Sequence, residues 1–335
     1  MEFGLAYTIG KDPGRSLADA FRDAVKEIQL AEALGYTTVI LSSQHFEEND
    51  ILPSPLVAAG MILARTERIR VGSGILIFPL EYHPIHVAED AAVLDVLSEG
   101  RFVLGVGQGA LKKEFAGFGI AMNERRPRLK EGVEMIRQLF TKDKVTYQGR
   151  YWQVNGETLH PKPAHRVPIW VAAEFEPAVA LAGELGDGWL ADPKHTLVRV
   201  KKNWDIFREA HAKGGKDPDK ADFAIWRELY VGETDEQAWA EAGDAMRAEF
   251  QKYLSWEHLV DDDGNILKPD RVDMLDDLVK TRFVVGGPET CIATLREYKD
   301  LGVTHFCGHT QFTGLRPELV TKSMRLLAEK VMPHV

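Results

Sequence analysis

Short apolar runs alternate with longer amphipathic stretches along the chain. After a first apolar run near residues 2–8, apolar residues recur at helical spacing from Leu17 to Ala31, and Ser16 and Asp19 resemble a capping box at the start of that helix. The succession continues to the end of the chain as eight predicted strands, each followed by a predicted helix. The later strands are YTTVILS, IRVGSGILIF, RFVLGVG, VPIWVAA, GWLA, FAIWRELYV and VTHFCGH.

This alternation determines the fold class that we expect. Strands separated by helices predict a parallel sheet, because a parallel connection must cross over the sheet. Eight such units in a chain of 335 residues favour a closed (β/α)8 TIM barrel, an α/β fold, over an open doubly wound sheet. We therefore expect residues 1–335 to form a single barrel domain.

Two segments depart from the alternation and predict insertion regions. Residues 144–156, KVTYQGRYWQVNG, alternate between apolar and polar positions with turn signals at QGR and NG, and they predict a hairpin after the fourth helix. Residues 253–287 are polar, with DDDGN in the middle, and predict a long excursion before the last unit. Long irregular connections in compact domains are usually functional or mobile, so we expect the second insertion near the mouth of a pocket.

The composition is that of an ordinary globular protein, and its charge narrows the range of partners. The chain has 41 basic and 51 acidic residues, so its net charge of −10 disfavours binding to nucleic acid or to an anionic membrane. Cys291 and Cys307 form neither a disulfide framework nor a zinc motif. The N-terminus lacks a basic leader, and no apolar run approaches the roughly 18 residues of a spanning helix. We expect a cytoplasmic protein with reduced thiols.

Residues at the end of each apolar run, or directly after it, indicate the chemistry, because the active site of such a barrel forms at the carboxyl ends of its strands. Glycine, amide, aromatic and histidine residues dominate these positions. A sugar hydrolase needs two carboxylates there and a Schiff-base aldolase needs a lysine, so a flat cofactor bound by backbone groups is a better match. The positions are Tyr7, Ser43–Phe46, Ser73, Gly74, Gly107–Leu111, Ala173–Phe175, Ala191, Asp192, Trp226–Glu228 and Gly308–Gln311.

The stretch RFVLGVGQGA also matches a nucleotide-binding pattern. Gly105, Gly107 and Ala110 satisfy G-x-G-x-x-A after a strand. That pattern should open a helix at once, yet a glycine-rich loop follows here, and three strand–helix units precede it. We therefore favour a strand whose glycines let a ligand lie against its backbone.

The histidines have functional and structural interpretations. His45 ends the run VILSSQH, and it is either a polar end of the strand or a group that exchanges protons near neutral pH. His83 with His86, and His305 with His309, lack the helical spacing of a metal site, so structural roles are favoured for both pairs. We expect no metal site.

Several separate motifs resemble, in the same order, those of one enzyme family. They are SSQHF, SPLVAAGMILARTERIRVGSGILIFPLEYHPIHVAEDAAVLDVLSEGRFVLGVGQGALKKEFAGFG, PIWVAAEFEPAVALAGELGDGWL, VVGGPETCIATLREYKDLGVTHF and SMRLLAEKVMPHV. The family is that of the luciferase-like flavin-dependent monooxygenases, which includes bacterial luciferase. The resemblance implies a (β/α)8 barrel with an insertion region. It also implies a small organic substrate, O2 and reduced FMN, with the FMN reduced by a separate flavin reductase.

The resemblance also implies catalytic residues at the end of the second strand. The family often ends this strand in Glu-His-His-Phe, and the first of the two histidines is catalytic in luciferase. Here the same positions hold Ser43, Gln44, His45 and Phe46. His45 is the remaining titratable candidate, and we predict that His45 and Gln44 beside it form the catalytic pair.

Further matches to the family predict the residues that bind the cofactor. The third strand ends at Ser73 and Gly74, where the family packs a strained peptide under the flavin ring. Gln108 stands where luciferase has an arginine near the phosphate, and Phe175 stands where luciferase supplies a hydroxyl, so the phosphate site departs from that of luciferase. The predicted cofactor-binding residues are Ser73, Gly74, Gly107, Gln108, Gly109, Glu174 and Phe175.

The resemblance leaves three functions open. The expected activity is that of a flavin-dependent monooxygenase. The same family includes enzymes that use a deazaflavin coenzyme and transfer a hydride without oxygen. A third alternative is a non-catalytic partner subunit like the second chain of luciferase, which the loss of the expected histidine and phosphate ligands supports. Association into a homodimer is expected from the resemblance alone.

Overall fold

Parallel strands close into a barrel in the computed structural model, which describes residues 1–10, 16–47, 52–81, 83–255, 259–268 and 275–335. The described strands are β1 (Glu2–Tyr7), β2 (Thr38–Leu41), β3 (Arg70–Ser73), β4 (Leu76–Ile77), β5 (Phe102–Gly107), β6 (Val145–Gln148), β7 (Gln153–Glu157), β8 (Ile169–Ala172), β9 (Gly188–Ala191), β10 (Asp222–Val231), β11 (Val284–Gly286) and β12 (His305–His309). Strands β1, β2, β3, β5, β8, β9, β10 and β12 pair in parallel, and β12 closes the barrel on β1. The predicted (β/α)8 TIM barrel is confirmed.

Helices connect the barrel strands. The described α-helices are α1 (Leu17–Ala33), α2 (Pro55–Leu63), α3 (Phe78–Glu81), α4 (Pro84–Ser98), α5 (Lys112–Phe118), α6 (Arg125–Thr141), α7 (Glu176–Leu185), α8 (Leu197–Lys213), α9 (Asp235–Ser255), α10 (Leu275–Arg282), α11 (Pro288–Asp300) and α12 (Pro317–Leu326). Before α1, the Ser16 hydroxyl oxygen accepts a hydrogen bond of 3.1 Å from the Asp19 N–H group, as the predicted cap requires. Within the described ranges, no helix is both long and apolar enough to cross a membrane.

The first predicted insertion is present as a hairpin. Strands β6 and β7 pair antiparallel between α6 and β8, which agrees with the prediction for residues 144–156. In the second predicted insertion, residues 256–258 and 269–274 lie outside the described residues. The described remainder contains α10 and β11, and β11 pairs with β10. Helices α5 and α11 and strand β11 lie in segments where we predicted no element.

The barrel strands are buried on both faces. Along β1, Leu5 belongs to the main hydrophobic core, while Ala6 packs with Trp170 and Cys307 in a second cluster built from barrel strands alone. Successive side chains of a strand point in opposite directions, so the two clusters lie on opposite faces of the barrel wall. A filled interior leaves the carboxyl ends of the strands as the place for a site.

Candidate active site at the carboxyl ends of the barrel strands

A cavity of about 320 Å³ lies at the carboxyl ends of the barrel strands, and we name it the strand-end cavity. Its walls include the ends of β2, β5, β8, β9 and β12, the middle of β10, the segment between β3 and β4, and residues of α5, α6 and α9. Its volume is in the usual range for a small-molecule site. The residues predicted from the sequence that line it are Gln44, Gly74, Gln108, Gly109, Glu174 and Phe175. The predicted residues outside its lining are His45, Ser73 and Gly107.

Ser73 and Gly107 lie behind the wall of this cavity. The Ser73 hydroxyl donates to the Gly105 carbonyl oxygen at 2.7 Å and accepts from the Gly105 N–H group at 3.0 Å, which ties β3 to β5. A Cβ atom on Gly105 would lie 1.8 Å from the Ser73 carbonyl oxygen, and one on Gly107 would lie 2.0 Å from the Ile75 side chain. Packing against β3 and the segment that follows it therefore accounts for both glycines, and Ile75 lines the cavity in front of Gly107.

The segment between β3 and β4 contains the position at which the resemblance implies a peptide under the flavin ring. The peptide bond between Gly74 and Ile75 is cis, and both residues line the strand-end cavity. The Ser43 hydroxyl donates a hydrogen bond of 2.6 Å to the Ile75 carbonyl oxygen. This bond ties the end of β2 to the cavity wall.

His45 lies beside the strand-end cavity, and its ring packs against α5. The imidazole meets the Phe118 ring edge-on, with 4.9 Å between the ring centroids, and the His45 N–H group donates a hydrogen bond of 3.0 Å to the Glu114 carboxylate. Phe46 follows with a φ of 60°, which turns the chain at this point. As a result, Gln44 lines the cavity, whereas His45 lies outside the lining and packs next to Gln44 on the side of α5. The catalytic role of His45 stays a prediction.

Polar atoms of the strand-end cavity include several that are buried without a hydrogen-bond partner among the described residues. They include the side-chain oxygens of Gln44 and Gln108 and the indole nitrogen of Trp226. A buried polar atom without a partner costs roughly 1–3 kcal/mol, so such atoms at a cavity wall indicate a ligand that supplies the partners. A flavin or deazaflavin ring carries N–H and C=O groups along its edge. These residues therefore fit such a ring.

Glu174, Asp192 and Lys194 form a buried ionic cluster in the wall of the strand-end cavity. The Lys194 ammonium lies 2.8 Å from a Glu174 oxygen and 2.6 Å from an Asp192 oxygen. Burial alone would lower the pKa of Lys194, but the two carboxylates raise it above its usual range, so the lysine stays charged. Burial raises the pKa of Glu174, and Asp192 adds to this effect against the attraction of Lys194. A lysine held in its charged form is a poor nucleophile, which disfavours Schiff-base chemistry here.

The wall also offers two features that attract a phosphate group. Arg125, the first residue of α6, lines the strand-end cavity, and its guanidinium makes no hydrogen bond or ion pair with any described residue. Helix α7 begins directly after Phe175, which provides no side-chain cap. Pro177 has no N–H group and the Ala178 N–H group donates to the Phe175 carbonyl oxygen, so the Glu176 N–H group is what this helix start offers to an anion. Glu176 in the first turn would repel an anion, but the Lys202 ammonium lies 2.6 Å from its carboxylate, lowers its pKa and balances its charge.

A second cavity, of about 370 Å³, adjoins the strand-end cavity, and we name it the β1–β12 cavity. It lies between the segments that follow β1 and β12 and helices α1, α9 and α12. The residues that line both cavities are Thr8, Gln44, Glu249, Lys252 and His309. Because the two cavities share this wall, a group bound in one lies next to a group bound in the other.

His309 ends β12 at the shared wall. Its Nε2 atom lies 3.2 Å from the Thr8 hydroxyl, and the residue is 3% exposed. Burial lowers the pKa of His309 to about 4, so the imidazole is neutral at pH 7. Sequence reasoning favoured a structural role for His309 because it was considered as a pair with His305. The signal for a site residue was its position at the end of a predicted strand.

Behind the strand-end cavity, Glu228 is fully buried on β10. Tyr253 of α9 lines the cavity and donates a hydrogen bond of 2.6 Å to the Glu228 carboxylate. Burial raises the pKa of Glu228 to about 7, against the effect of this hydrogen bond. Tyr253 is the first residue of the predicted excursion 253–287, so the start of that segment contacts the cavity.

Comparison with known proteins identifies the family. The family model described as luciferase-like monooxygenase matches residues 1–305. The chain belongs to this family. The predicted resemblance to the luciferase-like monooxygenases is therefore confirmed, and the (β/α)8 barrel described above is the fold that it implied.

Similar proteins include both dehydrogenases and monooxygenases. An F420-dependent glucose-6-phosphate dehydrogenase of Microbacterium testaceum (strain StLB037) is 28% identical over 324 residues, which cover 91% of each chain. Limonene 1,2-monooxygenase of Rhodococcus erythropolis is 27% identical over 325 residues, which cover 94% of this chain and 81% of the relative. Among solved structures, the monooxygenase RslO1 from Streptomyces bottropensis has a TM-score of 0.87 and 25% identity, over 100% of this chain and 99% of that chain. This luciferase-like protein is an oxidoreductase, and flavin and deazaflavin are the cofactors of its relatives.

Proposed function

We propose that this luciferase-like protein is a deazaflavin-dependent oxidoreductase that uses coenzyme F420 to oxidise an alcohol group of a small organic substrate. The observation that carries this proposal is the neutral His309 at the wall shared by the two cavities. Oxidation of an alcohol releases a hydride and a proton, so a proton acceptor is needed beside the hydride acceptor. Several relatives that are named F420-dependent dehydrogenases support the choice of cofactor.

The strand-end cavity would hold the cofactor. Gln44, Gln108 and Trp226 offer hydrogen-bonding atoms for the edge of the ring, and Ile75 offers an apolar surface for its face. Arg125 and the Glu176 N–H group at the start of α7 would bind the phosphate group that F420 and FMN both carry. When bound, the deazaflavin ring supplies the hydride acceptor.

His309 would take up the hydroxyl proton of a substrate in the β1–β12 cavity. The C–H bond at the alcohol carbon breaks and its electron pair leaves with the hydrogen as hydride. The O–H proton passes to the imidazole of His309, and the C–O bond becomes a carbonyl. The Thr8 hydroxyl, 3.2 Å from Nε2, fixes the orientation of the ring. The imidazole is neutral at pH 7, so one ring nitrogen has a free lone pair for this proton.

Gln44 would contact the reacting groups, and His45 would position Gln44. The packing of His45 on Phe118 and its backbone hydrogen bond to Glu114 support the end of β2 from the side of α5. Gln44 is one of the residues that line both cavities, so it can contact cofactor and substrate together. Direct proton exchange by His45, the role predicted from the sequence, is the alternative.

Titration of the purified protein with each cofactor tests the proposal. We expect F420 to bind with a change in its absorbance and fluorescence, and to be reduced when a substrate alcohol is added. Oxygen consumption should stay at the rate measured without protein. The control is the same titration with FMN. Tight binding of FMN together with failure to bind F420 would contradict the proposed cofactor.

An FMN-dependent monooxygenase is the second candidate function. The similarity of the whole chain to limonene 1,2-monooxygenase and to RslO1 favours it. Such an enzyme would use O2 and reduced FMN supplied by a separate flavin reductase. Substrate-dependent oxygen uptake with reduced FMN, above the rate of free reduced FMN alone, is the measurement that would support this candidate.

We further propose that two copies of the chain associate through α2 and α4. Val57, Val93, Val96 and Leu97 are exposed apolar residues on these two helices, which contact each other. A cluster of exposed apolar side chains on neighbouring helices is typical of a protein interface. This surface is therefore the proposed interface of the homodimer expected from the resemblance.

The proposed location is the cytoplasm. Cys291 and Cys307 are both buried and unpaired. Thiols stay reduced in the cytoplasm, whereas oxidising compartments favour disulfides. Fractionation of the native cells, with the protein detected by an antibody, is the test, and recovery in an extracytoplasmic fraction would contradict this location.

A further inference from the structure

We propose that the β1–β12 cavity selects an uncharged, largely hydrocarbon alcohol and excludes phosphate esters such as the sugar phosphate named in several relatives. This inference rests on the proposed function, because it assigns the β1–β12 cavity to the substrate. Three properties of the described wall carry it: its charge, its hydrogen-bonding groups and its apolar area.

Acidic side chains outnumber basic ones on the described wall of the β1–β12 cavity. Glu27, Glu47 and Glu249 line it, and Lys252 is the basic residue among the described lining residues. Lys113, outside the lining, lies 3.0 Å from the Glu47 carboxylate, so three carboxylates face two ammonium groups. The Lys252 ammonium is already engaged, 3.3 Å from the Glu249 carboxylate. Repulsion between like charges is stronger at a partly buried site than in water. This wall therefore opposes the entry of a phosphate dianion.

Glu27 and Gln311 together present hydrogen-bond acceptors to the cavity. The Tyr7 hydroxyl and the Gln311 amide nitrogen both donate to Oε2 of Glu27, at 2.7 and 3.0 Å. These donors orient the Gln311 amide so that its oxygen stays buried without a partner among the described residues. A substrate hydroxyl can donate to this oxygen, whereas a phosphate dianion has acceptors only. The acceptors of this wall therefore match a substrate hydroxyl, whereas the oxygens of a phosphate dianion donate no hydrogen bond to them.

The rest of the described wall is largely apolar. Ile9, Phe312 and Leu315, from the segments that follow β1 and β12, line the β1–β12 cavity together with Val320 of α12. Apolar surface favours a hydrocarbon body by roughly 25 cal/mol for each Å² removed from water. A compound with a hydrocarbon ring and hydroxyl groups fits both parts of the wall, with one hydroxyl at Gln311 and one at His309.

Calorimetric titration with two probes, with and without saturating F420, tests the inference. The probes are trans-cyclohexane-1,2-diol and glucose 6-phosphate. We expect the diol to bind at least about tenfold more tightly than glucose 6-phosphate. Glu27→Gln should weaken diol binding by about tenfold, because it removes the charged partner that orients Gln311, and it should strengthen glucose 6-phosphate binding. The opposite signs separate a specific effect from a general loss of structure.

Matched variants sharpen the test. Gln311→Leu should also weaken diol binding, because it removes the acceptor. Glu209→Gln is the control, since Glu209 is exposed on α8, paired with Lys213 at 2.6 Å, and outside the lining of both cavities. Equal or tighter binding of glucose 6-phosphate, no measurable binding of the diol, or unchanged diol binding in Glu27→Gln would each overturn the inference. Failure of F420 to bind in the separate fluorescence titration would instead overturn the proposed function.

Discussion

The imidazole of His309 lies 3.2 Å from the hydroxyl of Thr8, where β12 and β1 meet to close the barrel. His309 is the last residue of β12, the last barrel strand, and Thr8 directly follows β1, the first barrel strand. The position of the imidazole is therefore set by closure of the barrel. A titratable group held in this way has a fixed geometry, which suits proton transfer between neighbouring ligands.

We expect His309→Gln to lower turnover of substrate with F420 by about 10²-fold, the usual scale for loss of a proton acceptor. Glutamine keeps a polar group near Thr8 but takes up no proton at neutral pH. The dissociation constant for F420 should stay within about twofold of the wild-type value, because the ring would be bound by other residues. Steady-state kinetics and fluorescence titration give the two quantities. His86→Gln, exposed on α4 and paired with Glu89, is the matched control, and full turnover in His309→Gln would assign the proton to another group.

Stability should decrease as the pH falls from about 6.5 to about 4. Burial lowers the pKa of folded His309 to about 4, whereas a histidine in the unfolded chain titrates near 6.5. Between these values the unfolded chain binds a proton that the folded protein does not, so the free energy of unfolding rises with pH across this window. The contribution of His309 is about 3 kcal/mol, since each pKa unit is worth about 1.4 kcal/mol.

Urea unfolding of the wild type and His309→Gln at pH 7.0 and pH 4.5 measures this contribution. The variant should lose less stability on acidification than the wild type. His195, whose pKa burial also lowers to about 4, contributes to both proteins and cancels in the comparison. An equal pH dependence in the two proteins would show that His309 is protonated as easily when folded as when unfolded.

His45 and Gln44 should act as a unit. If His45 positions Gln44, then His45→Gln and Gln44→Ala each lower turnover, by about tenfold, and the double variant is little worse than either. The pH profile of kcat/KM in His45→Gln should keep the wild-type shape. Loss of one limb of that profile, with effects that multiply in the double variant, would instead support direct proton exchange by His45.

Gly105→Ala should destabilise the protein by about 3 kcal/mol. The new Cβ would lie 1.8 Å from the Ser73 carbonyl oxygen, a backbone atom that moves only if β3 shifts. Gly60→Ala on α2 is the matched control, because its Cβ would meet no atom closer than 3.4 Å and alanine favours a helix. Denaturant unfolding compares the two variants, and equal stability would refute the packing argument.

Light scattering should give the wild type a mass near that of two chains. Leu97 is 77% exposed and Val57 is 73% exposed, so an aspartate at either position would place a charge in the proposed interface. We expect Leu97→Asp to shift the mass to that of one chain at micromolar concentration. Val198→Asp, at an exposed apolar position of α8, is the control. A wild-type mass of one chain would exclude the homodimer.

The barrel strands were predictable from sequence because burial on both faces leaves a local signal. FAIWRELYV is a run of this kind, and it forms β10 almost residue for residue. Strand β11 has three residues, too few for a pattern, and it forms by pairing with β10. The sequence pattern of helix α5 is weak, because glycine-containing turns lie on both sides of it. The helix therefore depends on tertiary contacts such as the packing of His45 on Phe118.

The sequence predicted which residues lie near the candidate site, but not the direction in which each side chain points. Strand ends placed Gln44, Gln108 and Glu174 at one cavity because all barrel strands end on the same side. The direction of His45 depends on the positive φ of Phe46 and on a phenylalanine from a distant helix, which no local pattern reveals. The glycines of β5 indicated a close approach by a ligand, yet the groups that approach them belong to β3 and to the segment that follows it.

For protein engineering, the contact between Gly107 and Ile75 means that one side chain controls the size of the strand-end cavity, the proposed cofactor site. Ile75 stands between β5 and the strand-end cavity, so trimming it to alanine would add space on the cavity side and leave the backbone of β5 in place. A mutant library aimed at bulkier synthetic cofactors would therefore start at Ile75 and leave Gly107 as it is.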